Sequence, residues 1–401
     1  MGLNKKKNPN IQRIKRIQNR RLKQLVKRAY EFQFYKERFD KAGIKPSDIN
    51  CSQDLSKLPV LTKDELRVWI NTIKNDSKYK YYFKDTTSGS TGTPLTILYS
   101  PREKAYNMAN WLRVLTISGC KPIREKSLSR VDVHSQSGHN QTILSKFGIL
   151  EREFIEQYKD AKSMINDINT FKPDILSLNK AEFVRLAMYS IGNKLEIHHP
   201  NHYIPIGEKI DDNSKRLLYK VFGSGMIDAY GSAETGSIMF RTNEDEYIIN
   251  NDLFALNIIN NGELLVTPLY KKSIPLINYK IGDSVDYSID NENIHIYSIN
   301  GRLNDFIKTK DGELISFFEI AHVFSNNSDL YQIKIIQESI DKLVIYYVKN
   351  YDSDIDDKEL ERNLSDELNA HLLNRFSLDY VCVDSIAPSS NGKLRVVESM
   401  I

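Results

Sequence analysis

Residues 86–94 read Thr86-Thr87-Ser88-Gly89-Ser90-Thr91-Gly92-Thr93-Pro94, a run of hydroxyls and glycines that can wrap a polyphosphate in backbone N–H groups and side-chain O–H donors. Ser, Thr and Gly also make plain turns, so this stretch alone leaves both readings open. A Walker A loop carries Lys directly after its last Gly. Here Thr93 follows Gly92, which argues against an ordinary P-loop nucleoside triphosphatase.

Working outward, four more segments follow in order: Tyr230-Gly231-Ser232-Ala233-Glu234-Thr235, then Tyr279-Lys280-Ile281-Gly282-Asp283, then Gly301-Arg302-Leu303-Asn304-Asp305-Phe306-Ile307-Lys308, and finally Ser389-Ser390-Asn391-Gly392-Lys393-Leu394-Arg395. In this order and at this spread the series resembles that of the adenylate-forming enzymes, which include acyl-CoA synthetases and nonribosomal adenylation domains. Upstream, Phe34-Tyr35-Lys36-Glu37-Arg38-Phe39, Gly43-Ile44-Lys45-Pro46 and the segment from Asp54 to Leu66 resemble the opening of the phenylacetate-CoA ligase branch, including its capsule-cluster members. The likeness runs from about Leu22 to Arg395. It implies an α/β adenylate-forming enzyme fold: a large N-terminal α/β domain with a β subdomain, and a small mobile α+β C-terminal domain.

Composition agrees with a chain that buries a large core: 401 residues, 40% hydrophobic and 27% charged. No apolar run approaches the roughly 20 residues that span a bilayer, and the opening lacks the apolar stretch of a secretion signal. The expected location is cytoplasmic. Cys51, Cys120 and Cys382 are far apart, which suggests neither a disulfide framework nor a Cys-rich zinc site. The net charge of +4 is unevenly placed, because the basic residues from Lys5 to Arg28 all precede the first acid, Glu31. Ile11, Ile14, Leu22, Leu25 and Ala29 lie near helical spacing among them. That segment reads either as an amphipathic helix in weak contact with an anionic membrane surface, or as a helix packed on the main domain by its apolar stripe. No nucleic-acid-binding pattern accompanies the charge, and no such partner is expected.

Short apolar runs alternating with amphipathic segments predict sheets covered by helices. Strands are expected at Thr96 to Tyr99, Ile175 to Leu178, Ile204 to Ile206 and Met226 to Ala229, and helices at Glu103 to Ile117, Lys180 to Tyr189 and Asp212 to Phe222. From Glu246 to Ile299 short strands with Asn-Gly and Asp-Asn turns suggest an antiparallel subdomain. A last unit alternates strands near Ile333 and Leu343 with a helix from Asp357 to Phe376, where Leu360, Leu364, Leu368 and Leu372 align. We divide the chain into a helical N-terminal extension of the large domain at 1–75, an adenylate-forming core holding the ATP and acyl sites at 76–302, and a mobile C-terminal domain at 303–401.

Adenylation joins a carboxylate to the α-phosphate of ATP and expels pyrophosphate, so the site must position two anions that repel each other and offset charge on the phosphate oxygens. By the resemblance, Ser88, Gly89, Ser90, Thr91, Gly92 and Thr93 would hold the β- and γ-phosphates, although the family often has Lys where Thr93 stands. Glu234 would coordinate Mg2+, a hard cation that prefers carboxylate oxygens, with Thr91 as helper. Tyr230 would lie beside the adenine, bordered by Ala229, Gly231 and the Gly207-Glu208 step. Asp283 would accept from the ribose hydroxyls and Arg302 would add a donor. The catalytic set is Lys393, Glu234 and Arg302. Lys393 would bridge the carboxylate and α-phosphate oxygens. A hinge at Leu303 and Asn304 would let the C-terminal domain swing, although the family usually has Asp or Lys where Asn304 stands.

The acyl pocket would draw on His134, Ser135 and His139 with Ser177, Asn179 and Tyr203. Its polarity favours a small polar or aromatic acid, and either His also reads as an ordinary surface or core residue. His198-His199-Pro200-Asn201-His202 looks like a metal cluster, but Pro200 breaks helical pairing and no Cys or acid completes it. The expected function is an ATP-dependent, AMP-forming carboxylate ligase with CoA as default co-substrate. The alternatives are transfer to an amine, a glycan hydroxyl or a carrier-protein thiol, and a non-catalytic nucleotide-binding or membrane-associated accessory protein. Dimers are common in this branch, so a homodimer is a further expectation of the resemblance.

Overall fold

A computed structural model describes residues 11–86, 95–130, 151–155, 160–242, 245–260, 262–290, 292–302, 306–317, 320, 323–324, 327–386 and 396–401. The chain divides into two compact units, one drawn from residues 1–119, 132–138 and 229–299 and the other from 120–131, 139–228 and 300–401.

In the first unit, the helix Ile11–Ala29 buries Leu22, Leu25, Val26 and Ala29 completely, at about 1.5–3 kcal/mol for each large aliphatic side chain. Its polar residues are used as well. Gln18 donates to the Phe254 carbonyl at 2.8 Å and Arg21 to that of Asp252 at 2.5 Å. The basic helix is thus docked on the unit by its apolar stripe, the packing alternative weighed above. The helix Lys63–Ile73 starts at a capping box: Thr62 Oγ1 accepts from the Glu65 amide at 3.3 Å, and Glu65 Oε2 accepts from the Thr62 amide at 2.8 Å. Just before it, Leu61 exchanges backbone hydrogen bonds with the chain at Asn278 and Lys280. This seats the helix against the start of the strand Tyr279–Asp290.

The hairpin Phe83–Thr86 with Thr96–Tyr99 flanks residues 87–94. The helix Pro101–Ile117 follows, capped by Ser100 and Glu103. Two sheets have most of their residues in this unit. One orders Asp228–Ser232, Gly236–Arg241 and Ile248–Ile249, and the other orders Phe254–Ile259, Glu263–Pro268, Tyr279–Asp290 and Asn293–Arg302. The first strand begins later than the sequence suggests. Met226 makes only an isolated bridge to Tyr203, while pairing with Gly236–Arg241 keeps Tyr230 and Gly231 inside the strand.

The second unit holds a four-stranded parallel sheet in the order Arg152–Ile155, Ser127–Arg130, Ile175–Asn179, His202–Ile206. The helices Ala161–Phe171, Lys180–Gly192 and Asp212–Phe222 pack with it around Phe183, Tyr203 and Phe222. The same unit contains the sheet Ser377–Cys382, Lys342–Lys349, Leu330–Ser339, Val397–Ser399 and the helix Asp357–Leu372. On that helix Leu360, Leu364, Leu368 and Leu372 are all buried. It ends four residues short of Phe376 because Leu373 and Asn374 turn left-handed, at φ 53° and 54°. Among the described residues, no helix is long and apolar enough to cross a membrane.

Candidate active site

The densest convergence of predicted site residues lies in the first unit, where the strand Asp228–Ser232 turns through Ala233–Thr235 into Gly236–Arg241. The turn is sterically exacting. A Cβ on Gly231 would stand 2.2 Å from the Gly236 carbonyl oxygen, and Gly236 itself sits at φ +73° with Asn107 Oδ1 2.6 Å from where its Cβ would be. Only glycine fits the first position, and the second is strained for any other residue. Ser232 and Thr235 close the turn through a hydroxyl pair at 3.0 Å.

This geometry buries Glu234, whose exposure is 6%. Its Oε1 accepts from the Tyr279 hydroxyl at 3.1 Å and lies 3.4 Å from Lys63 Nζ. Burial acts to push the carboxyl up. Lys63, together with hydrogen bonds from its own backbone amide, Ser232 and Tyr279, outweighs that and holds it below the usual range. Burial first, then the Glu234 charge, push the Tyr279 phenol far up, so it stays a donor. An ionised buried carboxylate is the donor type that Mg2+ prefers, and Glu234 fits that ion on chemical grounds. Close by in sequence, the Tyr230 hydroxyl donates to Asp283 Oδ2 at 2.7 Å, so the strand and the Tyr279–Asp290 strand are tied side chain to side chain.

Beneath the turn, Tyr99 donates to the Ala233 carbonyl, Lys271 Nζ donates to that of Glu234 at 3.0 Å, and the Tyr270 hydroxyl, 2.7 Å from the Thr235 carbonyl oxygen, shares its one proton between that oxygen and Asn107 Oδ1. Neither these residues nor Lys63 and Tyr279 were among the site residues expected from sequence. Lys63 has a visible local role only as the residue after a helix cap. Its approach to Glu234 depends on the Leu61 backbone pairing, which no local pattern announces.

The second unit holds Gly207, Glu208, Ser177, Asn179 and Tyr203. Gly207 leaves the strand His202–Ile206 at φ +89°. Ser177 and Asn179 lie on the adjacent strand, facing Ile204 and Ile206 in register, and both are buried. Tyr203 is wholly buried, its ring centroid 5.6 Å from those of Phe183 and Phe222, and its hydroxyl donates to the Gly223 carbonyl at 3.0 Å. The interior of the unit thus uses both ends of that side chain. Lys180 pairs with Asp211 at 2.5 Å, and Asp211 caps the following helix by accepting from the Ser214 amide at 2.8 Å. The His198 ring meets the Pro173 carbonyl at 3.0 Å. Arg302 closes the strand Asn293–Arg302. Ser88, Gly89, Ser90, Thr91, Gly92, Thr93, His134, Ser135, His139, Leu303, Asn304 and Lys393 lie outside the described residues.

Residues 307–400 match the family model of the CapK C-terminal domain. The chain is 26% identical to the protein CapK of Staphylococcus aureus, over 94% of this chain and 88% of that one. It is 24% identical to a phenylacetate-coenzyme A ligase of Pseudomonas putida, over 68% of this chain and 66% of that one. Among solved structures, a 2-hydroxyisobutyryl-CoA ligase in a postadenylation state superposes with a TM-score of 0.78 at 20% identity, covering 98% of this chain and 90% of its own.

Proposed function

We propose that this chain, which has the fold of the adenylate-forming ligases and has CapK and the phenylacetate-CoA ligases as homologues, is an ATP-dependent, AMP-forming ligase that activates a small polar or aromatic carboxylic acid in the cytoplasm and passes the acyl group to CoA. One observation carries the reading. Glu234 is a buried carboxylate kept anionic by Lys63 and hydrogen-bonded by Tyr279, on a turn where glycine is obligatory, in the same compact unit as the Tyr230–Asp283 pair. A merely structural turn has no need of a buried charge with this set of partners, whereas a metal-nucleotide site requires one.

In this reading Glu234 holds Mg2+, which when bound offsets negative charge on the phosphate oxygens. Tyr230 borders the adenine and Asp283 takes the ribose hydroxyls, released from its hydrogen bond with Tyr230 or sharing it. The hydroxyl-rich loop Ser88–Thr93 receives the phosphates. Lys393 and Arg302 complete the charge balance from the C-terminal part of the chain.

The test is carboxylate-dependent exchange of pyrophosphate into ATP, with Mg2+, over a panel of small aromatic, hydroxy and amino acids. Exchange with one class and none without an acid is the expected result. CoA, amines, glycan hydroxyls and a carrier-protein thiol are then supplied in turn to the adenylating enzyme. Binding of ATP with no exchange for any acid would overturn the ligase reading in favour of a nucleotide-binding accessory protein.

A further inference from the structure

We propose that Tyr99, Lys271 and Tyr270 are positioning residues that grip the consecutive main-chain carbonyls of Ala233, Glu234 and Thr235, and so set the direction in which the Glu234 carboxylate points. The inference rests on the reading of Glu234 as the metal-binding carboxylate and deepens it.

Main-chain carbonyls need partners, and neutral donors or water normally satisfy them. Here the middle one takes a lysine that is 1% exposed. A buried ammonium is a costly donor for a job that a hydroxyl performs more cheaply. The surroundings are arranged to keep it. Its Nζ lies 3.9 Å from the centre of the Tyr99 ring, where a cation is attracted to the ring face. Glu103, Glu234 and Asp85 supply opposing charge. Glu103 is itself buried and held in place by the Ser100 and Ser273 amides at 2.9 and 2.8 Å. Burial outweighs these acids and pushes the Lys271 ammonium down to about 8.

The donors come from two places in the chain. Tyr99 ends the strand that directly follows the hydroxyl-rich segment, while Tyr270 and Lys271 follow the strand Glu263–Pro268. Tyr270 is braced by stacking with Tyr106 and by an edge contact with Phe254. Anchoring successive carbonyls on buried side chains opposes the peptide rotations by which a turn would swing its side chain. Such supporting groups around a metal ligand typically change metal affinity or activity by about 10–100-fold when lost.

The experiment compares wild type with Lys271→Met and Tyr270→Phe. Mn2+ binding in the presence of ATP is measured by electron paramagnetic resonance, the Mg2+ dependence of pyrophosphate exchange is recorded, and amide hydrogen exchange is followed over residues 231–236. Lys271→Met is expected to raise the metal concentration for half-saturation about 10–100-fold, to regain exchange activity as Mg2+ is raised, and to speed amide exchange in the turn. Tyr270→Phe should do the same more weakly, about 3–10-fold, and serves if Lys271→Met does not fold. Unchanged metal half-saturation and unchanged amide exchange would overturn the proposal, as would a loss of activity that extra Mg2+ does not relieve. If wild type binds no metal–ATP complex, the ligase reading fails first. The amide-exchange arm then still decides whether these side chains hold the turn.

Discussion

The strand Asp228–Ser232 in the first unit and the strand His202–Ile206 in the second both carry a tyrosine that sequence reasoning assigns to a binding site, and the two tyrosines meet different fates. Tyr230 is partly accessible and gives its hydroxyl to a carboxylate, Asp283, near a second carboxylate whose charge is maintained by a lysine. Tyr203 is enclosed by Phe183 and Phe222 and gives its hydroxyl to a main-chain carbonyl. A polar group satisfied once inside an apolar cluster is what any core requires. A carboxylate kept ionised while buried needs several partners at once, and such perturbed groups cluster at functional sites.

The sharpest way to break this contrast is Glu234→Gln, which keeps the shape and removes the charge. We expect carboxylate-dependent pyrophosphate exchange to fall by about 100-fold or more, with thermal stability lowered only modestly, because the depressed Glu234 carboxyl stabilises the fold at neutral pH but its partner Lys63 is partly exposed and can be solvated instead. Retained exchange would reduce the turn to the same structural status as the Tyr203 strand.

Gly231→Ala comes next. Its methyl group would overlap the Gly236 carbonyl at 2.2 Å, so the strand pair must separate, at a cost of about 2–4 kcal/mol in urea unfolding, together with loss of metal–ATP binding. An unperturbed variant would mean that the turn is not sterically exacting.

Asp211→Asn probes the charged pair of the second unit. Asp211 lies below the ordinary carboxyl range and Lys180 above the ordinary lysine range: burial opposes the charge on each, and their mutual attraction outweighs it. The depressed acid contributes stability above the unfolded carboxyl range, and this is lost as pH falls through its lower folded value. The raised lysine contributes stability at all pH below its unfolded range, and this is lost as pH rises through its higher folded value. The pair therefore stabilises from about pH 4 to about pH 10. The substitution should cost about 1–2 kcal/mol at pH 7 and much less near pH 2, since Asp211 is a third exposed and Asn retains the cap.

The smallest effect is expected from Tyr203→Phe, about 1 kcal/mol of stability for the lost bond to Gly223, with exchange kinetics unchanged. A selective rise in KM for the acid would return Tyr203 to the acyl pocket and erase the distinction between the two strands.

Much of the architecture was readable from periodicity. The expected helix Asp212 to Phe222 and strand Thr96 to Tyr99 form over those residues, because hydrophobic spacing and caps such as Asp211 act locally. The leucine row at 360, 364, 368 and 372 likewise lies on the buried face of its helix. Element ends were less legible. The helix stops at Leu372 through two left-handed residues that are not glycine, and the Tyr230 strand is lengthened by its partner. At the site, the ordered motifs around Tyr230, Glu234 and Asp283 mark residues that share one compact unit. Lys63, Tyr99, Tyr270 and Lys271 carried no comparable mark, since an isolated lysine or tyrosine has no local signature of what it will touch.

The sequence alone determined the chemistry on offer: hydroxyl-rich and acidic motifs in an order that resembles adenylate-forming enzymes, glycines where the chain must pass close to itself, and an apolar stripe beneath a basic helix. Tertiary structure alone decided which charges are buried together. The state of Glu234 depends on Lys63, Ser232 and Tyr279, and its direction on groups brought in from Tyr99 and Lys271. Desolvation and hydrogen bonding depend on distance in space, whereas sequence patterns report only neighbours along the chain.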